Sequence, residues 1–268
     1  MTEIHNLAVV SRKAKIGNNV KIGPFCIIGD NVQIADNVEL QSHVVIQGKT
    51  KIGKNTKIYP FASIGQAPQD LKYKGEESEV IIGENNVIRE YVTIQLGTES
   101  GGMKTIIGNN SLFMVGVHIA HDCIVADNVI FANVATLGGH AQIGNNVVLG
   151  GLCAVHQFVR IGDHAMIGGC TAVIRDVAPF ATVTGERSGV DGMNILGLKR
   201  RGYDKQEILD LQKAFNKIFF DNQGDMKSSI EFVKNNYNSP LISQLIEFME
   251  SDSKRSFTTA LKNKEAGL

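Results

Sequence analysis

Four of the seven histidines in this 268-residue chain, His118, His121, His140 and His156, fall within 39 positions of one another. Over Ile107 to Val173 the only charged residues are Asp122, Asp127, Arg160 and Asp163, so one carboxylate stands beside His121. Imidazole accepts a proton near neutral pH and an adjacent carboxylate holds its tautomer, which suits general-base chemistry. A metal held by His118, His121 and His140 is the competing chemistry, since three histidines suffice for some zinc sites. Spacing alone leaves both open.

Gathering these residues requires a repeat, and the chain has one. In steps of six it reads Ile16, Ile22, Ile28, Ile34, Leu40, Ile46, Ile52, Ile58 and Ile64. A second register runs from Ile107 through Phe113, Ile119, Val125, Phe131, Leu137, Ile143 and Leu149 to Val173, with Ile82, Ile88 and Ile94 between the two. Neither a helix period of 3.6 nor a strand period of 2 marks every sixth residue, so the chain turns a corner once per hexad. Glycine often follows the aliphatic residue, as at Gly17, Gly23 and Gly144, and positive φ at the corner is the expected reason. Small residues such as Val20, Cys123 and Cys153 come four after the aliphatic, which makes three of the four cysteines core filler.

This predicts a mainly β fold, a hexapeptide parallel β-helix with about 18 residues per coil. Residues 18 apart then stack. His121, Gly139 and Gln157 form one column, Asp122, His140 and Phe158 the next, and Ala120, Gly138 and His156 a third. Two segments break the rhythm, Gln66 to Glu79 and Gly97 to Lys104, and should project as loops. Asp176 to Gly192 reads as an irregular exit strand and loop. From Asp204, a capping box with Glu207 precedes a helical pattern at Ile208, Leu211, Phe215, Ile218 and Phe219. Further helical pieces are expected over Met226 to Asn236 and Pro240 to Ser251. The expected domains are residues 1–190, the β-helix, and 191–268, an α-helical unit.

Lys+Arg and Asp+Glu both total 27, so no overall field draws a polyanion, and nucleic acid is not an expected partner. No integral membrane segment or signal-peptide core is apparent. The four cysteines form no CxxC pair, and free thiols fit a reducing cytoplasmic compartment.

The run His118-Ile119-Ala120-His121-Asp122-Cys123, with Gly138-Gly139-His140, Ala154 to Phe158, Gln69 to Tyr73 and Asn194 to Gly202, closely resembles the UDP-N-acetylglucosamine acyltransferases that start lipid A synthesis in Gram-negative bacteria. The resemblance covers essentially the whole chain. It implies a homotrimer of left-handed β-helices with active sites between subunits. It also implies that a 3-hydroxyacyl chain passes from acyl carrier protein, which carries it on phosphopantetheine, to the 3-hydroxyl of UDP-N-acetylglucosamine. No bound cofactor and no metal is implied. By the same resemblance His121 is the general base, Asp122 orients it, and the Gly139 N–H is the oxyanion donor. His118, His140, His156 and Gln157 line the sugar and acyl-donor site. Gln69, Asp70 and Lys72 hold the glucosamine, and Asn194, Arg200 and Arg201 the uridine diphosphate. Gly169 stands where this family limits acyl length, and glycine there implies a long chain.

Two positions depart from the family pattern. Gln95-Leu96 replaces His-Arg, and Leu196 replaces Glu. The acceptor is therefore either UDP-N-acetylglucosamine or its 3-amino analogue. A sugar acetyltransferase fits the fold but gives no reason for the tail or the Gln69 to Tyr73 loop. A zinc hydrase of the γ-carbonic anhydrase type also fits the fold, yet its ligands include a closely spaced histidine pair well after a first histidine, and the spacing of His118, His121, His140 and His156 does not match.

Overall fold

The computed structural model describes residues 1–221 and 225–261. Its core is a three-faced prism of parallel strands, most of them two residues long, in sheets of 11, 9 and 8 strands. The chain visits the faces in rotation, as in Leu112–Phe113 on the first, His118–Ile119 on the second and Ile124–Val125 on the third. Register confirms the 18-residue coil: Ile4 pairs with Ile22, Ile22 with Leu40, and His118 with Thr136.

The hexad aliphatics and the small residues between them all point inward. Ile58, Ile64, Ile94 and Leu137 are fully buried, as are Val20, Cys26, Val32 and Cys123. Larger hexad members pack edge to face, with Phe113 and Phe131 centroids 5.3 Å apart. A two-residue strand cannot hold itself, so stability comes from stacking, at roughly 1.5–3 kcal/mol for each buried aliphatic side chain.

Except at Gly65, which takes the expected positive φ (+76°), the corner glycines have a different cause from the expected one. Gly17, Gly23 and Gly53 do not take positive φ; that conformation falls two residues later, on residues such as Asn19 (+55°) and Asn55 (+58°). What excludes a side chain is the next coil: a Cβ on Gly53 would lie 2.4 Å from the Gly83 carbonyl. Asparagine tolerates the left-handed position. There Asn19, Asn37, Asn55, Asn85 and Asn110 form a ladder in which each side-chain amide donates to the next at 3.0–3.4 Å.

The exit holds two strands. Ala181–Thr184 and Gly189–Met193 pair antiparallel and extend the first sheet. Among the described residues four helices follow: α1 (Ile195–Arg200), α2 (Lys205–Phe219), α3 (Met226–Asn236) and α4 (Pro240–Glu250). Asp204 caps α2 by accepting from the Gln206 and Glu207 N–H groups, and Ile208, Leu211, Phe215, Ile218 and Phe219 are its buried face. After α4 the chain returns to the prism, bridging Phe257 to Asp176 and Ala260 to Val190. The remainder of the expected helical domain, 222–224 and 262–268, lies outside the described residues. Among the described residues no helix is long and apolar enough to cross a membrane.

Candidate active site

Both inserted segments leave the second face and return on the third, the same edge on which His121, His140 and His156 turn. Their return strands, Glu79–Ile82 and Lys104–Ile107, pair in register. Glu79, almost buried, meets Lys49, Lys51 and Lys104 at 3.6, 3.2 and 3.2 Å. Burial alone would raise its carboxyl; the lysines outweigh that and hold it below the usual range.

Asp122 turns the corner at φ +60°, which drives its side chain into a wholly buried position. Its Oδ2 lies 2.8 Å from His121 Nδ1. From the second insertion Thr98 donates through its N–H to Oδ1 (2.8 Å) and through its hydroxyl to Oδ2 (2.6 Å). The Asp122 N–H in turn donates to Thr105 Oγ1 at 2.9 Å. Burial pushes this carboxyl upward, but the hydrogen bonds from His121 and Thr98 prevail and hold it below its ordinary value. An ionised carboxylate only accepts, so His121 carries its proton on Nδ1 and offers the Nε2 lone pair.

The neighbouring columns close around that imidazole. Gly139 lies one coil away, and its N–H donates to no acceptor among the described residues. His140 meets His121 edge to face, centroids 5.1 Å apart, and stacks on Phe158 at 4.3 Å. His118 contacts Thr93 Oγ1 through Nδ1 at 2.7 Å. Burial pushes His118 and His140 below the ordinary imidazole value; nearby His121 adds to this at His118, while Asp122 opposes it at His140. Asp70, in the first insertion, is close enough to contribute to the charge environment of His140.

One ligand atom each from His121, Asp122 and His140 lies within 4.8 Å of the others, and His118 is not part of that group. The set that converges therefore differs from the three histidines expected for a metal, and its carboxylate already accepts three hydrogen bonds.

Of the expected site residues, His118, His121, Asp122, Gly139, His140, His156, Gln157, Gln69, Asp70 and Lys72 gather along this one edge. The rest do not. Gly169 lies on the edge between the first and second faces, exposed beside Gly151. Asn194, Arg200 and Arg201 lie by the third edge, where Asn194 caps α1 and donates to the His164 carbonyl at 2.9 Å. Arg201 donates there to Asn146 Oδ1 at 3.0 Å.

The departing residues have local structural partners. Gln95, nearly buried, accepts from the Gln69 N–H at 3.2 Å and so steadies the first insertion, while Leu96 packs into the core. Leu196 is exposed. Sequence reasoning missed Thr98, Thr105 and Thr93, and missed Lys254 and Arg255 of the returning tail, which lie against Phe158 and His156. No sequence signal links those positions, 17 to 99 residues apart.

Comparison with known proteins bears on this arrangement. Residues 13–48 match the bacterial transferase hexapeptide (six repeats) family, and residues 176–258 match Udp N-acetylglucosamine O-acyltransferase; Domain 2. An acyl-(acyl-carrier-protein)-UDP-N-acetylglucosamine O-acyltransferase of Rickettsia peacockii is 52% identical over 96% of this chain and 97% of its own length. Its counterpart in Thermodesulfovibrio yellowstonii is 49% identical over 95% and 98%. The structure of UDP-N-acetylglucosamine acyltransferase from Campylobacter jejuni superposes with a TM-score of 0.91 at 36% identity, over 97% of this chain and 100% of that one.

Proposed function

The chain belongs to the UDP-N-acetylglucosamine O-acyltransferase family, and from that premise we propose how its residues divide the work. It transfers an acyl group from acyl carrier protein to UDP-N-acetylglucosamine, the first step of lipid A biosynthesis. The 3-hydroxyl of the sugar attacks the thioester carbonyl while His121 Nε2 takes its proton. Asp122 holds the tautomer and stabilises the imidazolium. The Gly139 N–H donates to the oxyanion of the tetrahedral intermediate. Collapse breaks the carbon–sulfur bond, and the imidazolium returns the proton to the departing pantetheine thiolate. No acyl-enzyme forms. The observation that carries this reading is the 2.8 Å contact from His121 Nδ1 to the triply hydrogen-bonded Asp122.

His118, His140, His156 and Gln157 line the donor and sugar pocket, with Gln69, Asp70 and Lys72 on the glucosamine. Asn194, Arg200 and Arg201 take the uridine diphosphate, where guanidinium suits paired phosphates. Gly169 leaves room for a long 3-hydroxyacyl chain. These three sets of residues lie on three different edges of one prism, so a complete site needs neighbouring copies, as in a homotrimer. An apolar edge is available for such packing. Phe25, His43, Phe61 and Tyr91 stack along it at 4.9–5.1 Å, and Leu7, Phe25, Phe61, Tyr91, Val134 and Leu152 are all 46–63% exposed. The β-helix to about residue 190 is the platform, and residues 191–268 form the helical unit. Free buried thiols at Cys26, Cys123 and Cys153 support a cytoplasmic setting.

The test is product analysis. Incubation with 3-hydroxyacyl carrier protein and UDP-N-acetylglucosamine should place the acyl group as an ester on O3, and the 3-amino analogue should react more slowly. A preference for the amine would overturn the assigned acceptor.

A further inference from the structure

The tail after α4 delivers two cations to the histidine edge. Its anchor is Asp176, fully buried, whose carboxylate accepts from the Arg160 N–H (2.9 Å), Arg160 Nε (2.7 Å) and Ser253 Oγ (2.5 Å). The Asp176 N–H donates to the Ser256 carbonyl at 3.0 Å, and its carbonyl accepts from the Thr258 N–H at 2.7 Å. Arg255 is thus held from both sides. Its Nη2 lies 2.8 Å from His156 Nδ1 and 3.0 Å from the Gln157 carbonyl oxygen. Lys254 Nζ sits 4.6 Å from the centre of the Phe158 ring, which stacks on His140.

We propose that Arg255 is a positioning residue that fixes His156 as its Nε2–H tautomer, so that this ring presents an N–H donor to an oxygen acceptor of the bound substrates. A guanidinium has donors and no acceptor. The 2.8 Å contact therefore requires a lone pair on Nδ1, and the proton of the neutral ring moves to Nε2. Without Arg255 the opposite tautomer is favoured. The Gln157 carbonyl, 3.2 Å from His156 Nδ1, only accepts and would draw the proton to that nitrogen. Arg255 removes the conflict by donating to both, and a charge-assisted bond outweighs a neutral one. Two histidines of one edge are then fixed in opposite senses. Asp122 makes His121 an Nε2 acceptor, a base, and Arg255 makes His156 an Nε2 donor.

What His156 donates to rests on the reading of this edge as the acyl-transfer site; its tautomer does not. The full-length protein, labelled with ¹⁵N-histidine and without substrate, is examined by ring ¹⁵N–¹H correlation, with His156 assigned by its loss in His156→Gln. The wild type and Arg255→Lys should carry the proton on Nε2, and Arg255→Met should carry it on Nδ1. An Nδ1 proton in the wild type, or an Nε2 proton retained in folded Arg255→Met, overturns the inference. If Arg255→Met fails to fold, the wild type and Arg255→Lys decide it by the same criterion. In transfer assays Arg255→Met should lose about 10- to 100-fold in kcat/KM, recovered in part by Arg255→Lys. A switched tautomer with unchanged kcat/KM overturns the donor role. Wild-type protein unable to transfer an acyl group would instead overturn the site reading and leave the tautomer result standing.

Discussion

A Cβ on Gly139 would lie 2.5 Å from Cε1 and 2.6 Å from Nε2 of His121, so the imidazole fills the space that any other residue at 139 would occupy. The nitrogen most crowded is the one proposed to take the proton. Gly139→Ala should fold, because its backbone is not in the left-handed region. The displaced ring should lower kcat by about 100-fold, the order expected for a misplacement of about 1 Å. Steady-state kinetics beside a thermal melt checks this; an active Gly139→Ala enzyme would remove the steric constraint.

Asp122→Asn keeps the shape and loses the charge. An amide places a donor where the carboxylate only accepted, so the His121 tautomer is no longer held and the Thr98 hydroxyl loses an ionised partner. Activity should fall about 10²- to 10⁴-fold. Stability should fall by about 1–3 kcal/mol. Kinetics with denaturant titration separates the two, and near wild-type activity would contradict the orienting role.

His164 gives a pH dependence of stability. It is nearly buried, with Nδ1 unpartnered and Nε2 3.2 Å from the Tyr203 hydroxyl. Burial, then the nearby Arg201, depresses its affinity for a proton, against a weaker opposing pull from Asp163. A folded-state value below the unfolded 6.5 means that the unfolded chain binds more protons as pH falls below that value. Stability should therefore drop on acidification from about 6.5 towards the folded value, with at most about 1.4 kcal/mol per pH unit from one such site. His118 and His140 act in the same direction. Melting temperatures between pH 7.5 and 5.5 should show the fall, and His164→Phe should flatten it; an unchanged slope would contradict the assignment.

Gly169 offers a specificity test. A Cβ there meets only the Gly151 backbone, its carbonyl oxygen at 3.2 Å and its nitrogen at 3.9 Å, so a larger side chain can project outward from this edge. Wild-type kcat/KM should favour long 3-hydroxyacyl donors, and Gly169→Met should shift the preference to shorter ones. A wild-type preference for short chains would remove the proposed ruler.

The prism was legible because each coil repeats one local instruction: an aliphatic every sixth residue, a small residue between, and a turn after each. The 18-residue stacking then placed His121, Gly139 and Gln157 on one edge from arithmetic alone. The reason for the corner glycines was not legible, because it lies in the next coil: Gly53 is held by Gly83, not by its own φ. Thr98 and Arg255 escaped for the same physical reason. Each acts on a residue far away in sequence, one through an insertion that breaks the repeat, the other through a tail that returns after four helices.

In the proposed mechanism His121, oriented by Asp122, takes the proton of the acceptor hydroxyl. The most direct test is single-turnover acyl transfer from 3-hydroxyacyl carrier protein to UDP-N-acetylglucosamine by the full-length protein and by His121→Ala, with the fold and the binding of both substrates verified. The His121→Ala rate should be lower by about 10²- to 10⁴-fold with binding retained. A His121→Ala enzyme that transfers at the wild-type rate would contradict it.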